Sequence, residues 1–170
     1  VQVGKKILQG KQTQKVLAFY KPVGVTCTER DPHAEKKIMD MIRYPERLTY
    51  AGRLDKDSEG LILLTNDGDL INAMMRGANR HEKEYIVKTD REITPDFLEK
   101  MAKGIYLKDL DITTRECKIE QIGKFTFRIV LTQGVNRQIR RMCEACGYRV
   151  KALKRIRIMN ILLGDLKPGK

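Results

Sequence analysis

Apolar and polar positions alternate along the chain in short stretches, and these predict more strands than helices. KVLAFYKPVGV (15–25) predicts a strand followed by a turn at Lys21-Pro22-Val23-Gly24. GLILLT (60–65) is a continuous apolar run of strand length, which is typical of a buried strand. Further strands are predicted in LTYAG (48–52), HEKEYIVKTD (81–90), TRECKIE (114–120), KFTFRIVLT (124–132) and RVKALKRIRIMNILL (149–163).

Helical periodicity is confined to four segments. PHAEKKIMDMI (32–42) is one, and a second runs through Leu70, Ile71, Met74 and Met75 after an expected cap at Asp69. TPDFLEKMAKG (94–104) places Thr at the N-cap, Pro at the first helical position and Gly beyond the end. VNRQIRRMCEAC (135–146) stops at a glycine.

The order of these elements predicts the fold class. Several strands follow one another too closely for parallel crossovers, so we expect an α+β fold with a mixed, mainly antiparallel sheet and flanking helices. The 170 residues suit one domain. Residues 1–14 are rich in Lys and Gln and weakly patterned, so we expect a linker or domain remnant there and a single domain over 15–170.

Composition indicates where the protein acts and which class of partner it binds. No apolar run reaches the roughly 20 residues of a membrane helix, and four scattered cysteines favour the cytoplasm over a secreted disulfide framework. The net charge is +12, from 34 Lys and Arg against 22 Asp and Glu. An imbalance of this size favours nucleic acid as the partner over a small metabolite.

Against this basic background, five acidic residues cluster within GRLDKDSEGLILLTNDGDL (52–70). Asp55, Asp57, Glu59 and Gly60 fit the start of a calcium-binding loop. The twelfth position would be Asn66, which cannot supply the bidentate carboxylate, so the calcium interpretation is disfavoured and no metal is expected.

Cys143 and Cys146 are spaced as a metal or redox pair would be. However, Ile139, Met142, Cys143 and Cys146 follow the i, i+3, i+4, i+7 pattern of an apolar helix stripe. Core packing is therefore the preferred interpretation.

The last third of the domain is strongly basic. Between Val135 and Ile158 there are eight Lys and Arg residues and one acid, Glu144. In the predicted strand, Arg155 and Arg157 are expected to share one face. A patch of this kind attracts phosphates without reading sequence. The basic residues expected to bind nucleic acid, including two beside Asp55, are Arg53, Lys56, Arg137, Arg141, Lys154, Arg155 and Arg157.

Asp55 stands between Arg53 and Lys56 in this acidic cluster. Neighbouring cations favour the ionised form of a carboxylate, which suits a nucleophile better than a proton carrier. Local sequence alone favours a purely structural Asp that forms salt bridges with its neighbours.

The chain resembles the bacterial ribosomal-RNA pseudouridine synthases of the RsuA/RluB/RluE/RluF type. The resemblance rests on KPVGV (21–25), GRLDKDSEGLILLTNDG (52–68), KEY (83–85) and GVNRQIRRM (134–142), and runs from about residue 15 to 163. It is strongest to the RluF branch, which acts on large-subunit (23S) rRNA. It implies a catalytic domain with a central cleft, and residues 1–14 then resemble the tail of an S4-like RNA-binding domain.

The resemblance also implies roles for individual residues. Asp55 matches the essential Asp that forms a covalent adduct with the substrate. Tyr85 matches the Tyr that packs on the target uracil. Arg140 matches the basic residue that pairs with the catalytic Asp, and Arg53 matches a residue that fills the gap left by a flipped base.

These observations predict an enzyme that isomerises a uridine in rRNA, with tRNA a further candidate substrate. The reaction needs no cofactor, and we expect a cytoplasmic monomer. One alternative is a non-catalytic RNA-binding module of ribosome assembly, in which Asp55 is only structural. A methyltransferase is a second alternative, but no GxGxxG nucleotide loop follows any predicted strand.

Overall fold

The computed structural model of the chain describes residues 16–25, 49–51, 53–69, 72, 81–135, 137–159, 161–164 and 166. The helix predicted over 32–42 and the segment 1–14 lie outside these residues. The described strands are β1 (Val16–Lys21), β2 (Thr49–Ala51), β3 (Glu59–Thr65), β4 (Lys83–Thr89), β5 (Tyr106–Leu107), β6 (Ile112–Thr113), β7 (Lys118–Gly123), β8 (Thr126–Leu131), β9 (Val150–Ile158) and β10 (Ile161–Leu162). Two helices are described in full, α1 (Pro95–Lys103) and α2 (Gln138–Ala145).

Among the described residues, the main sheet has eight strands, with β1-β3-β9-β4-β8-β7 as its principal order. Strand β2 pairs with β3, and β10 pairs with β9. All of these pairings are antiparallel except β3–β9, which is parallel. Strands β5 and β6 form a separate hairpin. The predicted α+β class with a mixed, mainly antiparallel sheet is therefore confirmed.

The helices cover one face of this sheet. Val87 in β4, Phe127 and Ile129 in β8 and Leu153 in β9 point to that face. They pack against residues of α1 and α2 in one core cluster, which includes Phe97, Met101, Ile139, Met142 and Cys143. A second, smaller cluster contains Tyr20, Leu61, Leu63, Ile158 and Leu163. No helix of the described residues is long and apolar enough to cross a membrane.

Local sequence signals set several element boundaries as predicted. β3 is buried along almost its whole length. Helix α1 begins at Pro95 because the Thr94 hydroxyl accepts a hydrogen bond from the amide of Phe97, and it ends before Gly104. Cys143 is fully buried in the core and Cys146 is half-buried against it, so the predicted apolar stripe of α2 is confirmed.

Other boundaries differ from the sequence prediction. The cap predicted at Asp69 is wrong: Asp69 is already helical, and Asp67 accepts the hydrogen bond from its amide. Helix α2 begins at Gln138 rather than at residue 135 because Arg137 has a left-handed backbone. β7 begins at Lys118, since the amides of Thr114 and Cys117 bond to Ile105 and Ala102 instead of to the sheet.

The basic strand predicted over 149–163 divides into β9 and β10 at Met159, whose φ is 54°. A bulge also shifts the register of β9, because Arg155 pairs with Tyr85 whereas Arg157 pairs with Glu84. Consecutive residues of β4 point to opposite faces. The prediction that Arg155 and Arg157 share a face is therefore wrong.

Candidate active site

The loop that carries Asp55 connects β2 to β3 and is tied down by backbone hydrogen bonds. The amide of Ser58 donates to the carbonyl of Asp55 at 3.0 Å, which closes a turn. The amide of Gly24, in the turn after β1, donates to the carbonyl of Lys56 at 2.7 Å. The carboxylate of Asp55 remains 36% exposed, so the loop presents it to solvent.

A buried lysine, Lys21, also holds the Asp55 loop in place. The side chain of Lys21 is 0% exposed, and its ammonium donates to the carbonyls of Pro22 and Ser58 at 2.8 Å and of Lys56 at 3.4 Å. A buried charge is tolerated only when such groups replace its water. The sequence predicted no role for Lys21; the signal was a lysine at the end of the apolar strand VLAFYK.

Arg137 brings a cation to this loop from the start of α2. Its guanidinium donates to both oxygens of Asp57, at 3.2 and 3.0 Å, and its Nη1 lies 3.4 Å from Oδ2 of Asp55. The hydrogen bond from Arg137, with a further contribution from the charge of Arg140, holds the pKa of Asp57 below its usual value. The same hydrogen bond raises the pKa of Arg137. The site therefore contains a charged Arg shared by two carboxylates.

The backbone of Arg137 has φ 49° and ψ 37°, a left-handed conformation that few non-glycine residues adopt. No side chain caps the helix at this point. The conformation turns the chain so that Arg137 points to the Asp55 loop and not along α2. Strain of this kind, roughly 1 kcal/mol or more, is often found at functional sites.

Arg140 was predicted to pair with Asp55, but no ion pair joins these two described residues. Instead, its Nη2 donates to the carbonyl of Asp57 at 3.0 Å and to the hydroxyl of Ser58 at 3.1 Å, and its Nη1 lies 3.6 Å from the Asp57 carboxylate. Arg140 therefore fixes the loop, and Arg137 is the residue that contacts Asp55. The physical reason is the late start of α2, which brings Arg137 to the loop.

Tyr85 lies on the helix-covered face of β4 and packs against the main core. Its cross-strand partner is Arg155 in β9. Arg155 is 2% exposed; its Nε donates to the carbonyl of Leu61 at 2.8 Å and its Nη1 lies 3.5 Å from the carbonyl of Arg53. Because Arg53 is two residues before Asp55, Arg155 links Tyr85 and the Asp55 loop on one face of the sheet.

The residues predicted to bind RNA divide into two groups. Arg53 and Lys56 are exposed beside Asp55, and Arg137 and Arg141 lie on the polar side of α2. Lys154 and Arg157 point to the other face of the sheet.

Two of the residues predicted to bind RNA, Arg155 and Arg157, already form hydrogen bonds with other groups of the protein. Arg157 donates to Glu84 at 2.8 Å and to Glu82 at 3.1 Å. Arg155 is buried, as described above. The structure therefore does not bring Lys154, Arg155 and Arg157 to an open surface beside Asp55.

An open cavity of about 340 Å³ adjoins Arg137. Its lining is strongly basic and consists of Arg137, Arg140, Arg141, Glu144, Arg149 and Val150. Arg149, which was counted in the basic block but not predicted as a contact, joins the wall because the chain turns back after α2. Four guanidinium groups against one carboxylate make this cavity suitable for phosphate groups.

The other acids near Asp55 have structural partners. The hydroxyl of Tyr20 donates to Glu59, and burial followed by this contact raises the pKa of Tyr20 to about 12.

Burial also raises the pKa of the Cys143 thiol to about 12. Within the described part of the chain, no group of three or more His, Cys, Asp or Glu residues is placed to hold a metal ion.

Comparison with known proteins identifies the class to which this fold and site belong. A sequence model described as RNA pseudouridylate synthase matches residues 15–145, and the chain belongs to that family. A crystal structure described as a pseudouridylate synthase superposes with a TM-score of 0.87 at 28% identity, covering 96% of this chain and 71% of that one.

Within the family, the chain is similar to enzymes of the RluF branch. It is 44% identical over 172 residues to the dual-specificity RNA pseudouridine synthase RluF of Escherichia coli (strain K12), covering 100% of this chain and 58% of the relative. It is 35% identical over 161 residues to the ribosomal large subunit pseudouridine synthase B of Vibrio cholerae, covering 91% of this chain and 49% of that relative. The resemblance found in the sequence is confirmed. The chain spans 58% or less of the length of these two relatives.

Proposed function

We propose that this chain is the catalytic domain of an RNA pseudouridine synthase that converts a uridine in large-subunit rRNA to pseudouridine. Membership of the family and similarity to RluF support the reaction class. The observation that carries the proposal is Asp55, half-exposed on an anchored loop and contacted by Arg137 beside an arginine-lined cavity. The bacterial cytoplasm, where rRNA is made, is the corresponding location.

Asp55 acts as the nucleophile in this proposal. Arg137 contacts its carboxylate, and the bonds from Lys21 and Arg140 hold the loop in place. During the reaction the N1–C1′ bond of uridine breaks, a C5–C1′ bond forms, C5 loses its proton and N1 takes one up. All heavy atoms of the substrate are retained and no electrons are exchanged with another molecule.

The target nucleotide must leave the RNA stack before Asp55 can reach it, which costs a few kcal/mol. Phosphate contacts in the arginine-lined cavity offset this cost, and the exposed Arg53 occupies the space that the base vacates. Tyr85 supplies an aromatic face for the uracil and assists removal of the C5 proton. In this scheme Arg137 takes the ion-pair role that the family resemblance implied for Arg140.

Several finer points belong to the same proposal. Residues 1–14 form the end of an S4-like RNA-binding domain, and residues 15–170 form the catalytic domain. The protein acts as a monomer without a cofactor or metal. The RluF relative carries the description dual-specificity, and on that ground a tRNA is the second substrate to test.

The decisive experiment compares Asp55→Asn with Asp69→Asn, an exposed acid from the same cluster. Pseudouridine in rRNA is mapped chemically in cells that lack the protein and are complemented with each variant. We expect no modification with Asp55→Asn, normal modification with Asp69→Asn and equal RNA affinity for both proteins. Normal modification by Asp55→Asn would support the non-catalytic RNA-binding alternative. A requirement for a methyl donor would support the methyltransferase.

A further inference from the structure

Two cations beside Tyr85 have no anionic partner among the residues that the structure describes. Arg155 is almost completely buried, and its Nη2 has no hydrogen-bond partner among the described residues. Lys83 is half-buried, and its ammonium takes part in none of the side-chain hydrogen bonds or ion pairs of the described residues. A buried cationic donor without a partner is costly, and its presence points to a ligand that supplies the missing acceptor.

The two cations and Tyr85 are brought together by the sheet. Lys83 and Tyr85 lie two residues apart on the same face of β4, about 7 Å along the strand. Arg155 is directly opposite Tyr85 in β9. The ammonium of Lys83 extends towards Gly134, in the segment that leads to Arg137; a Cβ added at Gly134 would lie 3.8 Å from it. The group is thus enclosed by β4, β9 and this segment.

The electrostatics of the group favour an anion. Burial, with a further contribution from the charge of Arg155, lowers the pKa of Lys83. Two positive charges that disfavour each other in a partly dry site gain from a negative charge placed between them. The neighbouring carboxylates do not provide it: Glu84 and Glu82 pair with Arg157 on the other face of the sheet.

The reaction proposed above creates a negative charge at this place. If Asp55 bonds to C1′, the N1–C1′ bond breaks and its electron pair stays on uracil, spread over N1, O2 and O4. If Asp55 adds to C6 instead, the electron pair of the C5=C6 bond moves onto O4. In both routes the ring that stacks on Tyr85 becomes anionic. When the C5–C1′ bond has formed and the adduct breaks, the electron pair returns to Asp55, C5 loses its proton and N1 takes one up.

We propose that Lys83 is a further catalytic residue, whose ammonium contacts a carbonyl oxygen of the uracil and stabilises its negative charge. Arg155, in the neighbouring strand β9, is a positioning residue. This inference rests on the proposed function. Preorganised donors aimed at a developing oxyanion are among the largest contributions to catalysis, and removing one costs about 100-fold or more in kcat. Lys83 is such a donor for the uracil ring.

The test uses Lys83→Met, which keeps the length of the side chain and removes its charge, with Lys83→Arg as the rescue variant. Lys88→Met is the matched control, because Lys88 is an exposed lysine of the same strand. We expect kcat to fall about 100-fold in Lys83→Met with KM and RNA affinity nearly unchanged. Lys83→Arg should recover part of the loss, and Lys88→Met should behave as wild type.

A second substrate separates charge stabilisation from a structural effect. Fluorine at C5 withdraws electrons and stabilises the uracil anion, so the Lys83→Met defect in breaking the N1–C1′ bond should be smaller with a 5-fluorouridine RNA than with uridine. An equal defect on both RNAs would overturn the inference, and so would a wild-type kcat or a loss confined to RNA affinity. Activity in both wild type and Lys83→Met would leave the proposed function standing, whereas an inactive wild type would overturn both.

Discussion

Arg137 donates to both carboxylate oxygens of Asp57, at 3.2 and 3.0 Å, although the two residues are 80 positions apart in the chain. This paired contact occupies most of the guanidinium and leaves only the longer 3.4 Å contact for Asp55. Asp57 thus positions and partly neutralises Arg137, and Asp55 keeps an exposed carboxylate oxygen. The four predictions below depend on this loop and the elements that hold it.

The Arg137–Asp57 contact predicts a loss of stability in acid. The folded-state pKa of Asp57 is lowered, so its contribution is fully present above the unfolded value of about 4 and is lost as the pH falls below it. Because Asp57 is half-exposed, the contribution should be only about 0.5 kcal/mol. Urea unfolding of wild type and Asp57→Asn at pH 6 and pH 3 should show this difference at pH 6 only. A constant difference at both values would contradict the prediction.

Replacing Arg137 should separate charge from backbone conformation. Asn tolerates the left-handed backbone, so Arg137→Asn should fold normally and lose the cation beside Asp55. We expect single-turnover pseudouridine formation to fall about 100-fold, with thermal unfolding little changed. Arg137→Lys keeps the charge but not the two-point contact, so its rate should lie between those of wild type and Arg137→Asn. Wild-type rates in Arg137→Asn would mean that Asp55 needs no contact from this residue.

Lys21→Met should weaken both the fold and the site. The substitution leaves the carbonyls of Pro22, Lys56 and Ser58 without their ammonium donor in a buried place. We expect the free energy of unfolding to fall by about 2 kcal/mol or more. Single-turnover activity should also fall under conditions in which the variant is folded, because the Asp55 loop loses its anchor. Lys88→Met is the exposed control and should change neither quantity.

Gly60→Ala should disrupt the junction between β3 and β9. A Cβ at Gly60 would lie 2.2 Å from the carbonyl oxygen of Arg155, and the φ of +119° is unfavourable for alanine. The backbone of β9 cannot move away without losing its pairing, so we expect a loss of about 4 kcal/mol in unfolding free energy. Gly68→Ala is the control, because nothing lies within 4 Å of the added atom. Its stability should be equal to wild type or slightly higher.

The features that sequence predicted correctly are those set by neighbouring residues. The cap of α1 at Thr94, the buried run of β3 and the apolar stripe of α2 each depend on residues within one or two turns. The family resemblance added Asp55 and Tyr85 as the residues to examine, and the structure places both on the helix-covered side of the sheet.

The features that the sequence did not predict depend on backbone conformation and on backbone groups far away in the chain. A bulge in β9, visible only in its register against β4, sends Arg155 and Arg157 to opposite faces. Two of the partners of Lys21 are carbonyls 35 and 37 positions away, and carbonyls leave no signature in a sequence. The exchange of Arg137 for Arg140 beside Asp55 follows from one left-handed residue at the start of α2.

The position of β9 in the sheet sets the order in which the protein can become competent during synthesis. β9 is the last long strand to be made, yet it lies between β3, which follows the Asp55 loop, and β4, which carries Tyr85. The pairing of Gly60 with Arg155 closes a loop of nearly a hundred residues, a slow, non-local event. A nascent chain therefore cannot bring the Asp55 loop and Tyr85 together until residue 158 has left the ribosome tunnel.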